Sequence, residues 1–361
     1  MSEQVSQEPE VLVRVEGRVG RLTLNRPKAL HALTTEMCRL MIAALTAWRD
    51  DPTVELVLLD HSGERGFCAG GDIRMLAESG KGDGAAAREF WLVEYRLNHL
   101  LFVYPKPVVA VMDGITMGGG VGLSAPARYR VATEKTTYAM PETGIGLFPD
   151  VGGGWFLPRI RNHAGLWLAL TGARIKAADC YALEIATHVV DSARLADLKA
   201  AIAADPAHIP TALAPFETDP GPAPVAARLD DIERLFGQPS VEDIVAALEA
   251  DGSEWALAQL ATMRTKSPQT MKVALRQLAA GARMASFADN MVMEYRIGAR
   301  VVHKPDFIEG VRAVIVDKDN APRWNPAELS GVTDADLDAI FAPLPADQEW
   351  TPLPQALEMP Q

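Results

Sequence analysis

The sequence predicts an α/β fold followed by a helical C-terminal region, and three observations lead to that prediction. Residues 54–59 and 107–112 are short, largely apolar runs, which are typical of buried parallel strands. Segments with apolar residues at helical spacing lie between these runs, and from residue 227 onward the patterns are helical. Strands that alternate with helices favour a mixed α/β core in which loops at strand ends build the site.

The N-terminal part is predicted to begin with a β-hairpin over residues 11–24, because apolar and polar residues alternate on both sides of a Gly-Arg pair. Thr34 or Thr35 can cap the next helix, whose apolar residues recur at helical spacing. After the strand 54–59, a glycine-containing loop leads into a short helix from about Asp72.

A longer helix is predicted over residues 88–104, and it ends before Pro105 because proline cannot continue a helix. Two short strands are expected after the strand 107–112, over residues 129–133 and 136–139. Together these segments complete the alternating part of the chain.

These patterns divide the chain into four parts. Residues 10–200 are predicted to form the core that carries the site, and residues 201–228 an irregular, proline-rich excursion. Residues 229–330 are predicted to be a helical region, and residues 331–361 a loosely structured tail. The helices expected within the helical region are 230–236, 241–250, 254–265, 268–280 and 286–300.

The composition is that of an ordinary globular chain: of 361 residues, 48% are hydrophobic and 23% charged. The formal net charge of −12 argues against nucleic-acid binding, which needs a basic face. Three scattered cysteines do not make a disulfide framework and fit a reducing compartment. The first ten residues are polar and acidic, and no apolar run approaches the ~18–20 residues of a membrane span. We therefore expect a cytoplasmic protein without membrane association.

Two glycine-containing loops follow predicted strands, the first over residues 67–72 and the second over residues 117–120. Each can present a backbone N–H at the start of a helix, where donors lack partners. Two such donors aimed at one carbonyl oxygen form an oxyanion hole. Taken separately, each loop is more simply a tight strand-to-helix turn, and neither matches a nucleotide-binding glycine motif.

Two carboxylates, Glu142 and Asp150, lie between the second glycine loop and a further glycine triplet at 152–154. Carboxylates among such glycines can act as acid, base or nucleophile on a bound ligand. Without context, most carboxylates are solvated or structural: Asp150 can be only a helix N-cap, and Glu94 only a solvated helix residue. No serine–histidine pair or metal-binding spacing is found, so no metal site is predicted, and Cys68 is interpreted as a packing residue.

Several segments together resemble one superfamily. Residues 24–30 read LNRPKAL, residues 67–73 read FCAGGDI, and residues 118–122 read GGGVG. In this combination the sequence resembles the crotonase, or enoyl-CoA hydratase/isomerase, superfamily. Within it, segments carrying Glu142 and Asp150 and three C-terminal blocks are similar to the 3-hydroxyisobutyryl-CoA hydrolase family. These segments are 140–143, 146–154, 276–278, 293–296 and 309–313.

The resemblance, which covers about residues 12–329, implies a spiral of ββα units with a helical C-terminal region. It implies that Ala69 and Gly119 supply the two oxyanion-hole N–H groups. The substrate-binding positions that it implies in the core are Glu94, Gly119, Glu142, Asp150, Gly70, Asp72 and Ile73. Lys28, Ala29 and Leu30 fall where superfamily members contact the coenzyme A nucleotide, and Lys318 is a weaker candidate there.

The function implied by the resemblance is hydrolysis of a short-chain 3-hydroxyacyl-CoA thioester, with 3-hydroxyisobutyryl-CoA of valine catabolism as the expected substrate. Glu142 would either attack the thioester carbonyl, giving an anhydride, or activate a water. Asp150 and Glu94 would hold the 3-hydroxyl group. No cofactor is expected, because coenzyme A is part of the substrate and product. The sequence leaves two arrangements of the C-terminal region open. Its helices could form a homo-oligomer, or the region could fold back on its own core.

Other functions also fit parts of the pattern. An enoyl-CoA hydratase or a dienoyl-CoA isomerase would use the same fold, and a non-catalytic acyl-CoA-binding protein would need neither loop nor carboxylate chemistry. A metal-dependent hydrolase using Glu142 and Asp150 lacks nearby histidines. Two departures stand out: hydratases carry a glutamate where this chain has Gly122, and His31 stands where the superfamily usually has asparagine.

Overall fold

The computed structural model describes residues 8–354, and within them ten strands form two sheets. The strands are β1 (Val11–Glu16), β2 (Val19–Leu24), β3 (Leu56–His61), β4 (Gly66–Cys68), β5 (Val108–Met112), β6 (Ile115–Met117), β7 (Tyr129–Thr133), β8 (Thr137–Ala139), β9 (Ile175–Lys176) and β10 (His188–Val190).

Helices of the N-terminal part alternate with these strands, and between β10 and residue 354 the regular structure consists of helices. The first group is α1 (Thr35–Arg49), α2 (Ile73–Gly80), α3 (Ala85–Phe102), α4 (Gly119–Ser124), α5 (Gly153–Phe156), α6 (Ala164–Thr171) and α7 (Ala177–Ala182). The second group is α8 (Leu195–Ala204), α9 (Ile209–Leu213), α10 (Leu229–Phe236), α11 (Val241–Asp251), α12 (Glu254–Met263), α13 (Pro268–Gly281), α14 (Phe287–Val301), α15 (Pro305–Val311) and α16 (Asp334–Phe341).

Successive strands enter different sheets. The larger sheet has the order β1-β2-β3-β5-β7-β10, and the smaller one β4-β6-β8-β9. Thus β3 and β4, β5 and β6, and β7 and β8 each give one strand to each sheet, and helical segments follow each pair. Only the β1–β2 and β8–β9 pairings are antiparallel among the strands described. This repeated ββα unit confirms the predicted α/β fold.

The predicted N-terminal elements form for the expected physical reasons. The hairpin of β1 and β2 turns at Gly17, which has φ +62°. Thr34 caps α1 by accepting the N–H of Met37 at 3.2 Å. Along β3 the side chains alternate, so that Val57 and Leu59 enter the main core while neighbouring residues pack under α8 on the other face. Burial on both faces explains the largely apolar run.

The C-terminal helices share the main core instead of forming a separate one. A single cluster of buried apolar side chains runs from Val11 in β1 to Trp350. Within it, α14 packs against α3, and α13 packs against α5 and α6. The helices that follow residue 229 therefore lie directly behind the loops of the predicted site.

The structure differs from the sequence-based prediction in two stretches. The tail from residue 331 is not loosely structured up to residue 354, because α16 begins with a capping box at Thr333 and Trp350 is buried. Residues 355–361 lie outside the described residues. The stretch 201–228 also contains α9, whose Leu213 is buried against the larger sheet. The four predicted region boundaries themselves stay a prediction.

Candidate active site

The predicted loops and carboxylates converge on one cavity of about 310 Å³, called here the carboxylate cavity. Its walls include both glycine loops and the side chains of Glu94, Glu142 and Asp150. The C-terminal region closes it with Lys266 and Ile315. The cavity therefore combines residues more than 200 positions apart in the chain.

A larger groove of about 800 Å³ lies between α6, α10, α11 and α13. Two pairs of charged or titratable residues at its edge contact each other: Lys272 with Glu242, and His163 with Glu233 at 3.1 Å. The groove contains none of the predicted site residues, so we place the chemistry in the smaller carboxylate cavity.

The second glycine loop brings the start of α4 against the first loop. Gly119 is the first residue of α4, so its N–H has no intrahelical acceptor. A Cβ atom at Gly119 would lie 2.9 Å from Cδ1 of Leu33, 3.0 Å from Oε1 of Glu94 and 3.2 Å from the carbonyl carbon of Gly70. Only glycine fits this contact, and Gly119 lines the cavity.

The first glycine loop corrects the assignment of Ala69. Its backbone N–H donates to the carbonyl oxygen of Leu30 at 3.0 Å, so this amide is already used inside the protein. Two residues on, the N–H of Gly71 has no acceptor among residues 8–354, and Gly71 lines the cavity. The prediction that Ala69 supplies the donor is wrong, and Gly71 is the amide that this loop leaves available.

Glu142 faces the second glycine loop from a buried position. It opens a 3₁₀ turn, Glu142–Ile145, directly after Pro141 and β8. Its Oε1 atom lies 3.2 Å from the position of a Cβ atom on Gly118, and its Oε2 atom has no hydrogen-bond partner in the described part of the chain. Burial, reinforced by the charge of Asp150, raises the pKa of Glu142 well above that of an ordinary glutamate. Such a carboxylate is poorly solvated and reactive when ionised.

Asp150 is a second buried carboxylate of the cavity. The hydroxyl of Tyr95 donates to its Oδ2 atom at 2.9 Å. Burial raises the pKa of Asp150 to about 6, although hydrogen bonds from Tyr95 and Trp91 act in the opposite direction. Asp150 is therefore held by an aromatic pair on α3 and is not a solvated helix cap.

Glu94 completes the group from α3, only 2% exposed. Its Oε1 atom is buried, has no partner within residues 8–354 and lies beside Gly119. Burial raises the pKa of Glu94 well above its usual value, and the charges of Asp150 and Glu294 add to this effect. A charge on Asp150 therefore disfavours the ionised forms of both Glu94 and Glu142.

Other predicted residues divide between the cavity and its surroundings. Ala69, Gly70 and Ile73 line the cavity. Asp72 does not: it caps α2 and pairs with Arg26 at 3.3 Å. Lys28, Ala29, Leu30 and Lys318 also lie outside the lining. Their predicted contact with the coenzyme A nucleotide stays a prediction.

His31 holds the loop that contains Leu30. Its Nδ1 atom accepts the N–H of Arg26 at 2.9 Å, and its Nε2 atom lies 2.9 Å from the carbonyl oxygen of Ser62. Burial, followed by the neighbouring His61, lowers the pKa of His31 to about 4, so the ring is neutral and donates to Ser62. The departure from asparagine at this position therefore keeps both an acceptor and a donor in place.

Two cations in the cavity wall were not identified from the sequence. Lys266 and Arg174 both line the cavity, and neither has a carboxylate within ion-pair distance among the residues described. The ammonium nitrogen of Lys266 lies 3.4 Å from the position of a Cβ atom on Gly144. Burial lowers the pKa of Lys266, and Arg174 adds to that effect. No local motif marks them, because a fold contact between distant loops brings them together.

Gly122 faces a space that is already filled. A Cβ atom there would lie 2.6 Å from Cβ of Val151 and 2.8 Å from Nδ2 of Asn98. Val151 is itself in the left-handed region, at φ +53°. A glutamate side chain at position 122 therefore has no room in this arrangement.

Known proteins are similar to this chain over most of its length. A family model described as enoyl-CoA hydratase/isomerase matches residues 19–341. The mitochondrial 3-hydroxyisobutyryl-CoA hydrolase of Danio rerio is 46% identical over 347 residues, covering 93% of this chain and 90% of the relative. Its Homo sapiens counterpart is 44% identical over 353 residues, covering 95% and 91%. A crystal structure described as a carnitinyl-CoA dehydratase from Mycobacterium thermoresistibile has a TM-score of 0.91 at 43% identity, covering 95% and 99%.

Proposed function

The chain belongs to the enoyl-CoA hydratase/isomerase family, where it groups with the 3-hydroxyisobutyryl-CoA hydrolases, and we propose that it hydrolyses 3-hydroxyisobutyryl-CoA to 3-hydroxyisobutyrate and coenzyme A. One observation carries the proposal: the buried carboxylate of Glu142 faces a glycine loop whose first helical amide is unused. A carboxylate opposite available N–H donors suits acyl transfer.

The thioester carbonyl would bind between the amides of Gly71 and Gly119. As the carbonyl carbon becomes tetrahedral, its oxygen gains negative charge, which both N–H groups stabilise. Because these donors are held by the backbone, they need no reorganisation during the reaction. Two donors on two loops also explain why the loops must touch at Gly119.

Glu142 would drive the cleavage in its ionised form. It either attacks the carbonyl carbon itself or removes a proton from a water that attacks. In both routes a C–O bond forms, the C–S bond breaks and the sulfur leaves with the bonding electrons. In the first route water then hydrolyses the anhydride, which releases the hydroxy acid and frees Glu142. A thiol of this kind has a pKa near ~8.5, so its thiolate leaves readily and takes up a proton afterwards.

Glu94 and Asp150 would select the acyl group. Buried carboxyl groups without enough partners bind a substrate hydroxyl strongly, and they reject an analogue that lacks it. The bare Oε1 atom of Glu94 beside Gly119 supports a preference for 3-hydroxyacyl over plain acyl thioesters.

Lys266 and Arg174 support a polyanionic ligand. Both are cations on the cavity wall without a carboxylate partner among the described residues, in a chain whose formal net charge is −12. Coenzyme A carries several phosphate charges, and such cations would attract and retain it.

Hydratase or dehydratase chemistry is the main competitor, since one similar structure is described as a carnitinyl-CoA dehydratase. That chemistry, by family resemblance, uses a second glutamate at the position of Gly122. Here Val151 and Asn98 fill the adjoining space. This packing favours the hydrolase over the hydratase. The 46% identity to a 3-hydroxyisobutyryl-CoA hydrolase over 93% of this chain favours it over the isomerase and a mere acyl-CoA binder.

A panel of acyl-CoAs tests the proposal, followed in parallel for free thiol and for enoyl absorbance. We expect thiol release that is fastest with 3-hydroxyisobutyryl-CoA and slower with isobutyryl-CoA, and abolished by Glu142→Gln. An absorbance change without thiol would indicate a hydratase or isomerase. Binding without turnover would indicate a non-catalytic binder.

Cellular setting and assembly belong to the same proposal. The three cysteines are free and buried, which fits a reducing compartment. We propose the cytoplasm, although the relatives named above are called mitochondrial, and cell fractionation tests this. None of the described helices is long and apolar enough to cross a membrane. We also propose that the enzyme acts in valine breakdown, that it needs no cofactor and that it forms a homo-oligomer.

A further inference from the structure

Two helices of the C-terminal region hold the turn that carries Asp150. From α13, Nε2 of Gln277 donates to the carbonyl oxygen of Pro149 at 2.7 Å, immediately before Asp150. From α14, Glu294 accepts the N–H of Gly152 and the N–H of Gly154, both at 2.8 Å. Asp150 thus lies between two fixed points of the backbone.

The two helices are also joined to each other at this point. Oε1 of Glu294 accepts from Nε2 of Gln277 at 3.1 Å and from Nδ2 of Asn290 at 2.9 Å. All three side chains have no exposed surface. Four donors on one buried carboxylate make a connected network, and such networks keep a single geometry because each lost bond leaves a buried polar atom unpaired.

The turn itself needs this restraint. Val151 follows Asp150 directly and has φ +53°, a region that β-branched residues rarely occupy. Backbone strain of this kind persists only where the surroundings determine the conformation. The neighbouring Gly152 and Gly154 are the residues whose N–H groups Glu294 holds. The strained residue is therefore enclosed between Asp150 and the points of attachment.

We propose that Glu294 and Gln277 are positioning residues for Asp150, so that the C-terminal helices set the geometry of the substrate-binding carboxylates. This inference rests on the proposed thioester hydrolysis. Neither side chain lines the carboxylate cavity, so their action is through the turn 149–154. A displacement of about 1 Å in such a group can cost about 10²-fold in rate.

Glu294 has an additional electrostatic consequence that Gln277 lacks. The titratable groups it influences are Asp150 on the turn and Glu94 and Tyr95 on α3, whereas α13 and α14 present uncharged Gln277 and Asn290 to it. Burial raises the pKa of Glu294 to about 8, whereas the four N–H donors on its oxygens favour the ionised form. In that form its negative charge helps to raise the pKa of Glu94, after burial and Asp150. Removing that charge should lower the apparent pKa of Glu94 and of Asp150.

Two variants separate geometry from charge. Gln277→Met keeps the volume but removes both hydrogen bonds, whereas Glu294→Gln removes the charge and places a donor against a backbone N–H. The controls are Gln269→Met, a buried glutamine of α13 whose Oε1 atom has no partner within residues 8–354, and Asp289→Asn, an exposed acid of α14. Each is assayed for thiol release from 3-hydroxyisobutyryl-CoA between pH 5 and pH 9, with thermal unfolding in parallel.

We expect kcat to fall about tenfold or more in both variants, with a smaller change in KM and with controls close to the parent. The acid limb of the kcat profile should move to lower pH in Glu294→Gln and stay in place in Gln277→Met. Lower thermal stability with unchanged kcat and an unchanged pH limb in both variants would overturn the inference. If Glu294→Gln does not fold, Gln277→Met alone decides.

The parent enzyme distinguishes this inference from the proposed function. If the parent releases no thiol from any acyl-CoA, the proposed function fails. If the parent releases thiol and both variants match it, the function stands and the positioning role fails.

Discussion

Ala69 donates its backbone N–H to the carbonyl oxygen of Leu30 over 3.0 Å. This bond ties the first glycine loop to the loop held by His31, which accepts from Arg26 in turn. As a result, the amide left available in the first glycine loop is that of Gly71, opposite the start of α4. The position of the candidate oxyanion hole thus depends on a contact between segments nearly 40 residues apart.

Gly119→Ala should remove the donor contributed by α4. The added Cβ atom would come within 3.0 Å of Oε1 of Glu94 and 3.2 Å of the Gly70 carbonyl carbon, so the loops must separate. Losing one oxyanion-hole donor costs about 2.7–4 kcal/mol, which predicts a 10²–10³-fold lower kcat for thiol release. Gly82→Ala is the matched control, because its Cβ would meet only Ser79 O at 3.6 Å. Equal activity of both variants would contradict the assignment.

Glu142→Gln should be inactive yet more stable at neutral pH. The pKa of Glu142 is raised in the folded protein, so ionisation costs stability as the pH rises above the ordinary glutamate pKa toward the raised value. A neutral glutamine does not pay that cost. Thermal unfolding between pH 4.5 and pH 8 should show a stability advantage that grows with pH, while exposed Glu64→Gln shows none. A variant that is less stable at pH 8 would argue against a buried, raised-pKa Glu142.

Tyr95→Phe should shift the pH dependence of catalysis upward. The Tyr95 hydrogen bond lowers the pKa of Asp150, which burial otherwise raises to about 6, so its loss raises that pKa further. A hydrogen bond to a charged group is worth about 1.5–3 kcal/mol. The acid limb of kcat/KM should therefore move to higher pH. Tyr104→Phe, which removes a hydroxyl bonded to the Leu45 carbonyl, should leave the limb unchanged.

Gly122→Glu should not create a hydratase. The new side chain would begin 2.6 Å from Cβ of Val151, and overpacking of this kind costs about 1–3 kcal/mol. We expect a lower unfolding temperature and no change in enoyl-CoA absorbance. The double variant Gly122→Glu/Val151→Gly, which opens the space, should recover stability. Hydration by the single variant would show that position 122 is less restricted than the packing indicates.

Lys266→Met should weaken acyl-CoA binding more than catalysis. Removing a cation without a carboxylate partner among the described residues should raise KM about tenfold at low salt, with little change in kcat. The difference should shrink at high ionic strength because salt screens the attraction. Lys135→Met is the control, since Lys135 is an exposed lysine that does not line the cavity. An unchanged KM would remove Lys266 from ligand binding.

Sequence patterns predicted most of the fold because each signal was local. The apolar run of β3, the cap at Thr34 and the helical spacing of α13 all act within a few residues. The tail after residue 330 was misjudged because its order depends on remote partners: Trp350 is buried beside His99, and Glu349 pairs with Arg296. The local sequence of this tail does not indicate those contacts.

Only the site residues that lie in recognisable motifs could be predicted from the sequence. Glu142, Asp150 and Gly119 lie in recognisable segments, and all three border the carboxylate cavity. The Ala69–Leu30 hydrogen bond determines which backbone amide of the first glycine loop is available. The glycine motif does not predict that hydrogen bond. Lys266 and Arg174 have no motif at all, because distant loops bring them together.

Trp350 packs the segment that follows α16 against α3. Its indole meets His99 edge-on, with ring centroids 5.7 Å apart, and nearby Thr351 accepts from Arg96 at 2.8 Å. Both partners sit on α3 within one to two turns of Glu94. A protein shortened to end before residue 350 would lose both contacts, and the side of α3 that carries Arg96 and His99 would be exposed to water. A C-terminal affinity tag or fusion partner should therefore follow Trp350 through a flexible linker, so that the indole can still pack against His99.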